Sequence, residues 1–114
     1  MKPQDTITIA PSVLITIARQ AALDVEGVSH MGVIPVDVGR LLRGQTLSSG
    51  VVLDVKERSV GLDLYLVVKP GTRMQETGGL VQQSVTRAIE DLVGMQVTRV
   101  DIHIEDVDYT PAEK

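Results

Sequence analysis

Residues 80–107 read LVQQSVTRAIEDLVGMQVTRVDIHIEDV. Up to Gly94, the apolar positions Val81, Val85, Ala88, Ile89 and Leu92 recur at the spacing of one helix face. Beyond Gly94 the period drops to two: Thr98, Val100, Ile102 and Ile104 alternate with Arg99, Asp101, His103 and Glu105. A helix therefore gives way to a strand across a single glycine, the residue that enters the left-handed conformation of a helix stop without steric cost. The spacing predicts a helix ending near Val93 and a strand over 96–107.

Working back from that junction, Val60, Leu62, Leu64, Leu66 and Val68 alternate with Gly61, Asp63, Tyr65, Val67 and Lys69. This is the pattern of a strand with one covered side, and 51–58 and 60–69 read as an antiparallel pair joined around Arg58 and Ser59. Pro70-Gly71 ends the second strand, and Thr72 is placed to cap the helix that follows. Near the start of the chain, Leu14, Ile17, Ala18, Ala21 and Val25 form an apolar helical stripe. Pro11 sits at its first position, with Ser12 as an alternative cap, and Gly27 is placed to end it. Residues 6–10, TITIA, are expected as a short first strand.

The stretch VSHMGVIPVDVGRLLRGQTLSSG, residues 28–50, lacks sustained periodicity. It reads as an irregular insertion loop with a helical turn at 38–43, although it is rich in apolar residues. The expected order is thus β-α-β-β-α-β, in an α+β two-layer sandwich. Two helices lie on one face of an antiparallel-rich sheet of three to four strands, for which the ferredoxin-like arrangement is one candidate. Residues 1–107 form one domain and 108–114 a polar tail expected to fray.

Composition narrows the function. The chain has 114 residues and a net charge of −4, with no Phe or Trp and only 2 Tyr. That balance opposes phosphate-driven nucleic-acid binding, and few aromatics leave few platforms for base stacking. The absence of cysteine excludes disulfides, thiol catalysis and thiolate metal sites, and fits a reducing cytoplasm. No leader pattern and no apolar run of spanning length are present, so membrane association is expected only through another protein.

Candidate chemistry is sparse. Asp101, His103 and Glu105 are of metal-binding or acid–base type. Alternate residues of one strand nevertheless stand roughly 6–7 Å apart and do not converge on an ion unaided. A solvated face with ion pairs to Arg99 or Lys56 accounts for them better. Lys69 to Gly79 matches neither phosphate-loop fingerprint and reads as an ordinary turn. Ser29 beside His30, and Ser48-Ser49, lack the oriented third group that nucleophilic catalysis needs. No catalytic, cofactor-binding or metal residues are assigned. Residues in excess of the core pattern mark an expected protein-interaction surface: Met31, Ile34, Leu41 and Leu42 in the 28–50 segment, and Arg99, Asp101, His103 and Glu105 on the last strand.

Three blocks in order resemble the alkaline shock protein family of Gram-positive and related bacteria, also called the envelope stress response family. They are ITIAPSVLITIARQAALDVEGV (7–28), VGLDLYLVVKPGTRMQETGGLVQQSV (60–85) and AIEDLVGMQVTRVDIHIEDV (88–107). The chain departs from the family's habits at Pro70-Gly71, where an aromatic-glycine pair is common, and near Asp101, where asparagine is common. The resemblance implies a non-enzymatic cytoplasmic protein of cell-envelope homeostasis that self-associates and binds protein partners, among them a separate membrane anchor. It supplies no catalytic residues. Two rival classes remain: a domain that senses a small molecule at a subunit interface, on fold analogy alone, and a metal-dependent enzyme using His103.

Overall fold

The computed structural model describes residues 8–37 and 46–110. Its centre is the strand Ser59–Val68, whose Val60, Leu62, Leu64, Leu66 and Val68 are all fully buried. In chain order the elements are α1 (Pro11–Leu23), β1 (Val28–Met31), β2 (Thr46–Ser48), β3 (Val51–Lys56), β4 (Ser59–Val68), α2 (Met74–Leu92) and β5 (Gln96–Val107). The α+β class, the two long helices and the mostly antiparallel sheet are as expected, but the sheet has five strands. The expected first strand is not found: Thr8–Ala10 carry no strand, and Thr6 and Ile7 lie outside the described residues. Sheet formation begins after α1, inside the segment read as a loop.

β4 organises both sides of the sheet. Along one edge it pairs antiparallel with β3, from Lys56↔Ser59 to Val51↔Leu64, and then with β1, from Met31↔Leu66 to Val28↔Val68. β1 and β3 therefore lie end to end against one strand. The join is made by Tyr65, whose N–H donates to Gly50 O (2.8 Å) and whose carbonyl accepts from Gly32 N–H (2.6 Å). Gly32 and Gly50 thus meet across Tyr65 and form a neck. Gly50 is buried with φ +76°, and a Cβ there would stand 2.8 Å from Gly32 O and 3.0 Å from Tyr65 O. Only glycine fits such a backbone crossing. β2 adds to the far side of β3. Val36 and Asp37 are helical, whereas the turn expected at 38–43 lies outside the described residues.

On its other edge β4 pairs in parallel with β5, from Ser59↔Gln96 to Val68↔Val107. A parallel neighbour requires a crossover, which α2 provides. Val81, Val85 and Ile89 of α2 and Leu14, Ala18 and Ala22 of α1 are packed out of solvent against the same sheet face. Each large aliphatic side chain among them contributes on the order of 1.5–3 kcal/mol when fully buried. The small residues of α1 bring the helices close enough for Ser84 Oγ to donate to Ala21 O (2.9 Å). α2 stops as expected at Gly94 (φ +82°), whose N–H reaches the carbonyls of Ile89 and Glu90. Neither helix carries a side-chain N-cap. Thr72 instead donates to Gly27 O (3.4 Å), and Arg73 holds the cap position of α2. The tail is anchored at its start, where Asp108 N–H donates to Val68 O (2.7 Å).

Candidate functional site

The sheet face opposite the helices carries most of the charged chemistry. Alternation on β4 turns Gly61, Asp63 and Tyr65 to that side, and the parallel register sets them against Arg99, Asp101 and His103 of β5. Gly61 leaves a trough in which the Arg99 side chain lies: a Cβ there would come within 3.0–3.3 Å of Arg99 Nε, Cγ and Cζ. From this trough Arg99 Nη1 donates to Asp101 Oδ2 (2.7 Å), Asp63 Oδ2 (3.2 Å) and Leu62 O (3.3 Å). Asp63 is shared, because its Oδ1 faces His103 Nε2 at 3.0 Å. The His103 ring stacks on Tyr65 with centroids 4.4 Å apart and planes 12° from parallel. Glu105 extends the row to the loop neck, its Oε1 accepting from Val33 N–H (2.9 Å).

The electrostatics follow from this packing. Burial pushes the Tyr65 phenol up, and the negative charges of Asp63 and Glu105 push it further. For Arg99, burial works against the charge, but hydrogen bonding and attraction from Asp63, then Asp101, outweigh it and hold the guanidinium above its ordinary value. Tyr65 thus stays a neutral, 6% exposed stacking surface, and Arg99 a permanent cation tied to two carboxylates. With both Asp63 oxygens engaged, the cluster orders β5 on β4. Asp63 itself is therefore not an idle base. Among the described residues, no three His, Asp or Glu side chains form a metal-holding group.

A second polar cluster joins β1 to the end of β5. Ser29 Oγ donates to Asp108 Oδ2 (2.7 Å) and lies 3.0 Å from His30 Nδ1, while the same His30 nitrogen is 3.8 Å from Asp108. A catalytic histidine bridges its serine and acid through different nitrogens, so this serine, histidine and aspartate are not a triad. Hydrogen bonds from Thr110, then Ser29, with His30 nearby, lower the Asp108 carboxyl from 3.8 to about 2. In the Lys69–Gly79 turn, Arg73 is exposed and pairs with Glu76 at 3.8 Å.

The structure brings Arg99, Asp101, His103 and Glu105 onto one face. Met31 is half-buried and packs against the core, so it is not surplus to the core pattern. Ile34 is half-buried beyond the neck, and Leu41 and Leu42 lie outside the described residues. Sequence reasoning missed Asp63 and Tyr65 as partners of this face. Their signal was the polar side of the β4 alternation, but nothing local indicated that β5 would lie beside it. It also passed over Val33 and Val36, which are 77% and 69% exposed.

Fold and face together define a small α+β domain, an open sheet covered by two helices on one side and by a self-satisfied polar cluster on the other. The solved structure of MamM CTD H264E shares this fold, with a TM-score of 0.50 at 13% identity, over 85% of this chain and 95% of that one. The chain belongs to the alkaline shock protein family, a family with a cell envelope-related function whose pattern matches residues 1–109. Relatives at low identity include two uncharacterized proteins of Bacillus subtilis (strain 168). YloU is 28% identical over 91% of this chain and 89% of its own length, and YqhY is 26% identical over 90% and 77%. Spy1614 of Streptococcus pyogenes serotype M6 is 23% identical over 89% and 86%. No helix among the described residues is long and apolar enough to cross a membrane.

Proposed function

We propose that this chain serves the cell envelope as a non-enzymatic interaction or scaffold protein, joining copies of itself and other proteins, a membrane anchor among them. The observation that carries this reading is β5. One strand of 12 residues offers a polar outer face and an edge against which no strand of the described residues lies. Flat faces and strand edges suit protein contacts, since main-chain groups supply affinity and alternating side chains supply selectivity. Arg99, Asp63, Asp101 and His103 of the face are already bonded to one another, an arrangement suited to a rigid recognition surface. The contact surface would comprise Arg99, Asp101, His103 and Glu105, with Ile34 past the neck and with Leu41 and Leu42, which lie outside the described residues.

The test is growth of a strain lacking the gene, under alkaline or cell-wall stress, with the chain restored on a plasmid. The wild type should rescue growth. Asp101→Lys, at a side chain 55% exposed and bonded, among the described residues, only to Arg99, should keep its melting temperature and fail to rescue. Full rescue by that variant would overturn the surface assignment, and a deletion with no envelope defect would overturn the role.

A further inference from the structure

We propose that the free edge of β5 joins a second copy of this chain, the two strands running antiparallel about a two-fold axis at Ile102. This deepens the self-association reading above and rests on it. The ladder shows which groups point outward. Each β4 residue facing β5 bonds the residues either side of its opposite number, as Val68 O does in accepting from Asp108 while paired with Val107. Leu62, Leu64 and Leu66 are paired with Val100, Ile102 and Ile104. The N–H and C=O of those three β5 residues therefore face away from β4.

Among the described residues, this edge is closed at its ends and open in the middle. Val97 N–H is taken by Glu90 Oε2 (3.3 Å) and Val107 N–H by Asp106 Oδ1 (2.7 Å). Gln82 Nε2 donates to Val100 O (2.8 Å), which leaves one lone pair of that carbonyl. Between these caps lie the N–H groups of Val100, Ile102 and Ile104 and the carbonyls of Ile102 and Ile104. An antiparallel strand centred on Ile102 matches this set with its own copy. Ile102 meets Ile102 of the second copy in a doubly bonded pair, and Val100 meets Ile104.

The side chains agree with the same axis. It sets Arg99 against Glu105 of the second copy and Asp101 against His103. These fall at the non-hydrogen-bonded positions, where side chains approach most closely and opposite charges stabilise the pair. The groups needed are not used up within one copy. His103 uses Nε2 on Asp63, which leaves Nδ1, and Glu105 uses one oxygen on Val33. On the helix side, a groove of about 560 Å³ runs beside the edge, between Ile102 and Ile104 of β5 and Met74, Gly78, Gly79 and Gln82 of α2. The glycines leave room there for the second copy's isoleucines. No lysine or proline guards the central edge, although natural sheets commonly place one there to prevent pairing.

Sedimentation of the wild-type chain over a wide concentration range should show a monomer–dimer equilibrium. Ile102→Pro should remain monomeric at every concentration with its circular dichroism retained at some cost in melting temperature, because the N–H it removes faces outward while the Ile102 side chain it shortens is only partly buried against the core. Two single-cysteine variants test the register in a chain that has no other cysteine. Ile102→Cys brings its own copies to a Cα separation of about 5.5 Å, within disulfide reach, and should be trapped as a dimer under oxidation. Ile104→Cys leaves its copies about 14 Å apart and should not be trapped. A wild type that stays monomeric, a dimeric Ile102→Pro, or equal trapping of the two cysteine variants would overturn the inference. A monomeric chain that still rescues growth under envelope stress would lose the β5 pair and keep the scaffold role. A β5-paired chain without effect on growth would do the reverse.

Discussion

Replacing Gly50 by alanine should be among the most damaging single-methyl changes in this protein. Gly50 has φ +76°, a conformation that costs an L-residue roughly 1–2 kcal/mol. The new Cβ would also stand 2.8 Å from Gly32 O and 3.0 Å from Tyr65 O. Both are backbone atoms, on residues tied together by the Gly32 N–H to Tyr65 O bond, and cannot swing aside as a side-chain tip would. Relief requires the neck to open, which strains or breaks the bonds of Tyr65 N–H to Gly50 O and of Gly32 N–H to Tyr65 O. Each is worth about 1 kcal/mol net. The sum is about 3–4 kcal/mol, a large share of the roughly 5–15 kcal/mol that holds a domain together. At this chain length it corresponds to a fall in melting temperature of roughly 10–15 °C. Gly94→Ala is the control, since Gly94 has φ +82° but nothing within 4 Å of the added carbon. It should lose only the strain, about 1–2 kcal/mol. Urea unfolding of both full-length variants, followed by circular dichroism, measures the difference. Equal losses, or a Gly50→Ala protein within about 1 kcal/mol of wild type, would refute the account of the neck.

Three further outcomes are expected. The Asp108 carboxyl is held down to about 2, so its contribution to stability is complete above about pH 4 and is lost as the pH falls toward 2. Urea midpoints between pH 5 and pH 2 should therefore fall less steeply for Asp108→Asn than for wild type. Gly79→Ala, within α2 and with nothing within 4 Å of the added carbon, should raise stability by roughly 0.5–1 kcal/mol in a thermal melt. Ala18→Leu should cost roughly 1–3 kcal/mol in urea unfolding, because Ala18 is fully buried where α1 meets the core.

The α2–Gly94–β5 junction and the two faces of β4 were legible because long elements carry their own period. β1 and β2 were not. They have 4 and 3 residues, too few to display alternation, and they exist by pairing with the edges of β4 and β3. The same cause shifted the start of the sheet. TITIA has strand-like residues, yet Thr8–Ala10 lie outside the ladder, and VSHM occupies the edge of β4. Asp63 and Arg99 were each visible as polar residues of a strand. Their contact, across 36 residues of chain, depended on β5 lying parallel to β4.

What the sequence determined alone is what local geometry enforces: where α2 stops, that a strand follows, which of its side chains share a face, and that no cysteine chemistry is available. Tertiary structure decided which strands are neighbours. That placed Asp63 between Arg99 and His103, closed the neck at Gly50 around Tyr65, and left one edge of β5 without a strand among the described residues. Side-chain period is written into consecutive residues, whereas a ladder's partner comes from elsewhere in the chain and is chosen only when the helices and strands bury their apolar faces together.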